Sequence, residues 1–286
     1  HYTISEAWLD RVQEVLDYAV DDDMYVILNI HHDTDKEYCY PDKEHLEQSL
    51  SYMTFIWEQL ADRFGDYDEH VIFESINEPR LVETDHEWWL DMNAAECVEA
   101  VECINEWNQN FVDVVRKTGG NNATRYLMVP GYDASADGVL NDKFVLPTDT
   151  AENEGKILVS VHAYIPYHFA LQAATENESI DQFNASEKTS TNDIDQMMEK
   201  LYAKYISNEI PVVIGEFGAR DKNGNLQSRV DYAAYYIAAA RAYGMSCNWW
   251  DNNAFTGDGE LFGLLDRKTV TWRYPKIVDA LMKYAE

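Results

Sequence analysis

Two hydrophobic rhythms alternate along the 286 residues. One is a short, nearly continuous apolar run. The other sets apolar residues three and four positions apart. The first reads as a buried strand and the second as one face of a helix. Six runs qualify as strands: 25–30 (YVILNI), 71–77 (VIFESIN), 125–130 (RYLMVP), 157–163 (ILVSVHA), 211–216 (PVVIGE) and 246–250 (SCNWW). The first helix is expected to start at the capping-box pattern Thr3-Ile4-Ser5-Glu6, with Trp8, Leu9, Val12, Val15, Leu16, Ala19 and Val20 along its apolar face. Further helices are expected over about 43–64 with Gly65 as C-cap, 91–117 stopped at Gly119-Gly120, 193–207, 229–243 capped by Gly244, and from Pro275 onward. The segments 134–156 and 165–190 are polar and read as irregular, the second as a long loop on the functional face.

Strand alternates with helix throughout, which predicts a parallel sheet joined by crossover helices. No linker or change of composition interrupts the pattern, so a single domain over 1–286 is expected. The fold class is α/β, of the (β/α) barrel type, with about six strands in this chain and functional groups at their C-terminal tips.

Those tips carry the candidate chemistry. Strand 71–77 ends at Asn77-Glu78-Pro79 and strand 211–216 ends at Glu216 in a Gly-Glu-Phe-Gly frame. Two glutamates at buried strand ends suit hydrolysis of a glycosidic bond. That reaction needs a proton donor at the leaving oxygen and a second carboxylate at the anomeric carbon, roughly 5–5.5 Å away in a retaining enzyme. Taken singly, each is an ordinary loop carboxylate in a chain of 52 acidic residues, and only the frames argue otherwise. His31, His32 and His162 also stand at strand tips, with Tyr164 beside the last. They suit hydrogen bonding to a carboxylate or a sugar hydroxyl. A metal would need three converging ligands, and adjacent histidines on a strand point to opposite sides, so no metal is expected. By the same alternation, one of Trp249 and Trp250 should face the functional end and the other the helices. Trp88, Trp89, Tyr38, Tyr40 and Tyr132 are candidates for lining a groove.

Composition narrows the partners. The net charge is −30 with a pI near 4.4, which argues against nucleic acid and anionic membranes. No apolar run approaches the ~20 residues of a membrane span, and His1-Tyr2-Thr3 leads straight toward the first helix, with no leader in view. A neutral, hydroxyl-rich ligand is indifferent to that charge, and the 8 Trp and 19 Tyr offer stacking faces as well as core. Cys97 and Cys103 lie too far apart on one helix for a disulfide, and free thiols are expected. No glycine-rich phosphate loop is present, so no organic cofactor is expected.

The segments VILNIHHD (26–33), FESINEP (73–79), YLMVPGYDAS (126–135), SVHAYIPYHFAL (160–171), PVVIGEFG (211–218) and NWWDNN (248–253) occur in this order along the whole chain. Together they resemble glycoside hydrolase family 5, retaining (β/α)8-barrel glycosidases, and the 160–171 run resembles its endo-β-1,4-glucanase, xyloglucanase and lichenase subgroup. The resemblance implies Glu78 as acid/base and Glu216 as nucleophile. It implies Asn77 as the residue that binds the sugar 2-hydroxyl, and His31, His162 and Tyr164 as groups that orient the carboxylates and the sugar. Trp249 matches the aromatic platform best, with Trp250 as the other choice. The implied activity is endo-hydrolysis of β-1,4 or mixed β-1,3/1,4 glucan. Against it stands a remnant that binds glucan with weak or no turnover; a mannanase is the nearer alternative. The family barrel has eight strands, and the first two, one of which ends in an arginine that steadies the nucleophile, have no counterpart here. Self-association over the open side is the expectation that follows. A polymeric substrate implies a secreted enzyme.

Overall fold

The computed structural model describes residues 2–257 and 259–285. His1, at the head of the expected leaderless start, lies outside them. The chain forms two compact units, one ending at Ser160 and the other beginning at Val161.

In the first unit, α1 (Glu6–Asp21) leads to β1 (Val26–Asn29), α2 (Leu46–Arg63), β2 (Val71–Glu74), α3 (Ala95–Lys117), β3 (Leu127–Pro130), the short α4 (Ala136–Leu140) and the start of β4 (Ile157–His162). The strands pair in chain order and in parallel, with Val26 beside Val71, Phe73 beside Leu127, and Leu127 beside Ile157. All four residues of β2 and of β3 are buried. A strand covered on both faces loses the polar alternation of an exposed one, which is why these runs are continuous in the sequence.

Trp57 of α2 sits at the centre of this unit, fully buried, its ring 5.4 Å from Phe73 and 4.6 Å from Phe111 of α3. Its indole N–H donates to Ser75 O at 2.9 Å. Asn108 of α3 accepts from Ser75 Oγ at 2.7 Å and donates to Pro130 O at 2.8 Å. One buried amide therefore ties the ends of β2 and β3 together. At the opposite ends of the strands Arg125 is buried and donates to a set of backbone carbonyls, including Val71 and Tyr67, both at 2.6 Å.

In the second unit, the end of β4 is followed by α5 (Tyr167–Ala170), α6 (Lys188–Lys204), β5 (Val212–Phe217), α7 (Leu226–Ala242), β6 (Ser246–Trp249), a small hairpin of β7 (Leu265–Asp266) and β8 (Thr271–Trp272), and α8 (Pro275–Ala285). Ala163 N–H donates to Glu216 O at 2.9 Å, and β5 and β6 pair in parallel. Phe217 stacks on Tyr236 of α7 at 4.3 Å, and Tyr236 Oη donates to Ala163 O at 3.0 Å. The six parallel strands and their crossover helices agree with the expected α/β class.

Four local readings change. Ser5, not Thr3, caps α1, accepting from Trp8 N at 3.3 Å. Gly65 is not a left-handed C-cap: a Cβ there would stand 2.8 Å from Ala61 O, so close approach is what requires glycine. Helix α6 begins at Lys188, several residues before the expected start, inside the segment read as loop. The β7–β8 hairpin, two residues to a strand, has no periodicity to betray it. None of the described helices is long and apolar enough to cross a membrane, and all four cysteines are free.

Candidate active site

In the first unit the site is built on the tips of β1 and β2. Asn77 N–H donates to Ile30 O at 2.9 Å, which draws the end of β2 onto the end of β1. The Asn77 side chain is 5% exposed, and its Oδ1 has no hydrogen-bond partner among the described residues. Glu78 follows, half-buried. Arg80 donates through Nη1 to Glu78 O at 2.9 Å and stands 4.0 Å from its carboxylate. The Arg80 guanidinium lies over the Trp88 ring, 3.9 Å from its centroid. Trp88 is 52% exposed on the loop that follows.

His31 is half-buried and His32 exposed. Their rings meet edge to face with centroids 4.4 Å apart. The expectation that they point to opposite sides therefore fails. Strand β1 has ended at Asn29, and alternation does not carry past a strand's end. Tyr132 corrects a second expectation. It is fully buried, accepting from Leu81 N at 3.1 Å and donating to His86 O at 2.6 Å. Tyr132 is a post beneath the 81–86 loop rather than a groove-lining face. Tyr40 is buried as well.

Glu74 was not singled out by its sequence context. It is a buried carboxylate inside β2, receiving Asn29 Nδ2 at 2.8 Å and the Ser160 hydroxyl. An acid inside an otherwise apolar run is the signal that marks it.

In the second unit the site is built on the tips of β4 and β5. The β5–β6 register runs from Ile214 beside Cys247 to Phe217 beside Trp249, so β5 carries one extra residue across Gly215-Glu216. Such a bulge re-aims the side chains next to it. Tyr164 Oη donates to Glu216 Oε2 at 2.6 Å, and His162 Nδ1 lies 3.8 Å from Oε1. His162 is buried and Tyr164 half-buried.

Trp249 packs inward. Its ring lies 5.4 Å from Phe217, its indole N–H donates to Phe262 O at 3.1 Å, and it contacts the core between α7 and α8. Trp250 is half-buried and donates its backbone N–H to Phe217 O at 2.8 Å. Behind them Arg229 of α7 is fully buried, donating to Ala219 O at 2.9 Å with its guanidinium 4.7 Å from the Tyr274 ring centroid.

Residues 1–256 match the family described as Cellulase (glycosyl hydrolase family 5). The chain belongs to glycosyl hydrolase family 5. Among solved structures of the family, a lichenase from Caldicellulosiruptor sp. F32 is 60% identical, with a TM-score of 0.98 over 100% of this chain and 76% of that one. A broad-specificity endoglucanase from Ruminococcus champanellensis with bound cellotriose is 45% identical, with a TM-score of 0.88 over 98% of this chain and 76% of that one. Endoglucanase B of Ruminococcus albus is 42% identical over 100% of this chain and 64% of its own length. The chain thus spans just under two thirds of that family member.

Proposed function

We propose that the chain is a retaining endo-β-glucanase acting on β-1,4 or mixed β-1,3/1,4 glucan, with Glu216 as nucleophile and Glu78 as acid/base. The observation that carries most weight is the Tyr164–Glu216 hydrogen bond of 2.6 Å at a strand bulge. A carboxylate oriented by a bulge and a phenol is set up to do chemistry at one place. The lichenase and the cellotriose-bound endoglucanase support the substrate class.

In the first step a Glu216 oxygen attacks the anomeric carbon while the glycosidic C–O bond breaks. Glu78 passes its proton to the departing oxygen, leaving a glycosyl ester on Glu216. In the second, water gives a proton to Glu78 and its oxygen displaces Glu216 from the anomeric carbon. The two inversions return the original configuration. Asn77 supports the reading, since its buried Oδ1 suits a sugar hydroxyl. His31, His32 and His162 are assigned to orienting sugar and carboxylates, and Trp88 to an outer stacking face. The aromatic platform passes from Trp249 to Trp250, because Trp249 is committed to the helix-side core. One catalytic domain is part of the proposal, supported by a family match that runs through residue 160 and by β4, which does the same. So is secretion, since a polymer is met outside the cell.

The test is reducing-sugar release from barley β-glucan, carboxymethyl cellulose, xyloglucan and mannan, with the first-formed anomer read by NMR. Turnover with the β-anomer formed first supports the proposal. An α-anomer formed first removes the nucleophile role. A folded protein that binds these glucans without turnover leaves the binding remnant. Light scattering on the same sample reads the expected self-association: a mass above 33.0 kDa supports it, and a monodisperse monomer removes it.

The two tryptophans should separate cleanly. Trp250→Ala is expected to raise KM on polymer about tenfold, worth about 1.4 kcal/mol, with the melting temperature held. Trp249→Ala, at a half-buried site, is expected to cost about 2–3 kcal/mol of stability, below the range for a fully buried tryptophan, read by urea unfolding. The opposite pattern would return the platform to Trp249.

A further inference from the structure

Taking Glu216 as the nucleophile of the proposed reaction, we propose that Arg220 and Lys222 are positioning residues, a cationic clasp that fixes the Tyr164–Glu216 hydrogen bond. They lie just past Glu216 in the chain and fold back on the segment just past Tyr164. That segment contains α5, a single turn whose last carbonyls have no partners within the turn. The clasp supplies donors to three of them, one of which, His168 O, also accepts from Ile180 N at 2.9 Å. Lys222 Nζ donates to His168 O at 2.7 Å. Arg220 donates its backbone N–H to Ala170 O at 3.0 Å and its Nη1 to Leu171 O at 2.7 Å. Arg220 Nη2 also donates to Gly259 O at 2.7 Å, and nearby Phe262 lies 5.2 Å from the Tyr164 ring. Arg220 therefore grips both the segment that follows Tyr164 and the loop that leads to Phe262.

Lys222 is the tighter half. It is 1% exposed. Besides His168 O, its ammonium reaches Ser179 Oγ and Ile180 O, each at 3.2 Å. Three donors meet three neutral oxygens, with no carboxylate among them. An ammonium placed this way contributes direction rather than an ion pair. Asn225 extends the grip, accepting from Lys222 N at 3.0 Å and donating to Asp181 O at 3.2 Å.

Titration gives the clasp a signature. Burial first, and Arg220 second, hold Lys222 down to about 8, against the pull of Asp181 and Glu176. The His168 ring pairs with Gln172, and its carbonyl is shared between Lys222 and the Ile180 N–H. An opened segment returns the lysine to water and to its ordinary value of 10.5. Opening therefore takes up a proton between about pH 8 and 10.5, so the clasp tightens as pH rises through that window.

The experiment compares wild type, Lys222→Met and Ser179→Ala. Each is measured for kcat and KM on soluble β-glucan and for the rate of subtilisin cleavage within 173–179. Cleavage is followed from pH 7 to 10.5 and corrected by an unstructured peptide of the same sequence. Lys222→Met is expected to lower kcat about 10- to 100-fold, with KM within about threefold, and to be cleaved faster. Wild-type cleavage is expected to slow between pH 8 and 10.5, and the slowing to vanish in Lys222→Met. Should Lys222→Met not fold, Ser179→Ala, which removes one half-buried loop hydroxyl, is expected to move kcat and cleavage the same way by a few-fold. Cleavage or kcat at the wild-type level in the folded variants overturns the clasp. A wild type with no turnover fails the proposed function instead, and cleavage still reads whether the clasp holds its segment.

Discussion

Glu216→Gln is expected to lower kcat on mixed-linkage glucan by on the order of 10⁴-fold, equivalent to about 5.4 kcal/mol of barrier. The amide keeps the size of the side chain and an oxygen able to accept from Tyr164 Oη, so the local geometry around the bulge should survive. What it loses is the anionic oxygen that, in the proposed mechanism, attacks the anomeric carbon. Binding of a cello-oligosaccharide should therefore remain near the wild-type level by calorimetry while turnover collapses. Glu216→Gly with added azide supplies the complementary measurement. A small anion in the space of the lost carboxylate should restore bond cleavage and give a glycosyl azide of inverted configuration. Residual activity of Glu216→Gln within tenfold of wild type, or rescue giving a retained azide, would remove Glu216 from the nucleophile role.

Arg125→Met carries the largest expected effect on stability, a loss of about 3–5 kcal/mol. Arg125 is buried and donates to the carbonyls of Asp68, Val71, Tyr67, Gly65 and Phe64 and to Asn122 Oδ1. Its guanidinium also lies 4.7 Å from the Phe73 ring centroid. A methionine fills much of the space and removes these bonds; Phe64 O, Asp68 O and Tyr67 O keep Tyr67 N, Val71 N and Asn121 Nδ2 as weaker donors, and each acceptor left short costs about 1 kcal/mol or more. Lysine should not rescue it, because a point ammonium cannot reach a fan of acceptors that a planar fork does. Burial pushes the Arg125 pKa down to about 10, still well above neutrality. Its titration adds stability only as pH rises from about 10 toward 12.5, so the loss in Arg125→Met should be constant from pH 6 to 9. Urea unfolding at those pH values checks both statements. A change below about 1 kcal/mol would show that water replaces the arginine without penalty.

The six strands were legible because each is a continuous apolar run closed by a polar residue, and the observed limits differ by no more than three residues from those read in the sequence. Burial on both faces gives that signal, and it does not depend on anything distant in the chain. The tips were legible for the same reason: Glu78 and Glu216 interrupt patterns that have just been apolar. What was not legible depends on the third dimension. Tyr132 and Trp88 are both loop aromatics by sequence, yet one is fully buried and the other half exposed. Trp249 and Trp250 are neighbours, and only the packing of α7 and α8 shows which one the core takes. The paired rings of His31 and His32 follow from β1 ending at Asn29, before the pair is reached. Lys222 sits in a Lys-Asn-Gly-Asn stretch that reads as a solvated turn. Nothing in that stretch says that a segment some forty residues earlier closes over its side chain.

The unpartnered Oδ1 of Asn77 bears on which sugars the protein should refuse. An acceptor held out of water favours any ligand that brings it a hydroxyl, and penalises one that brings a bare carbon more than a missing bond alone would. A glucan chain and its deoxygenated counterpart would cover the same surface and stack on the same rings. They would differ in whether this one oxygen is left dry. Selectivity of that kind needs no added contact. It would be a rejection, set before any sugar arrives, of shapes that fit and chemistry that does not.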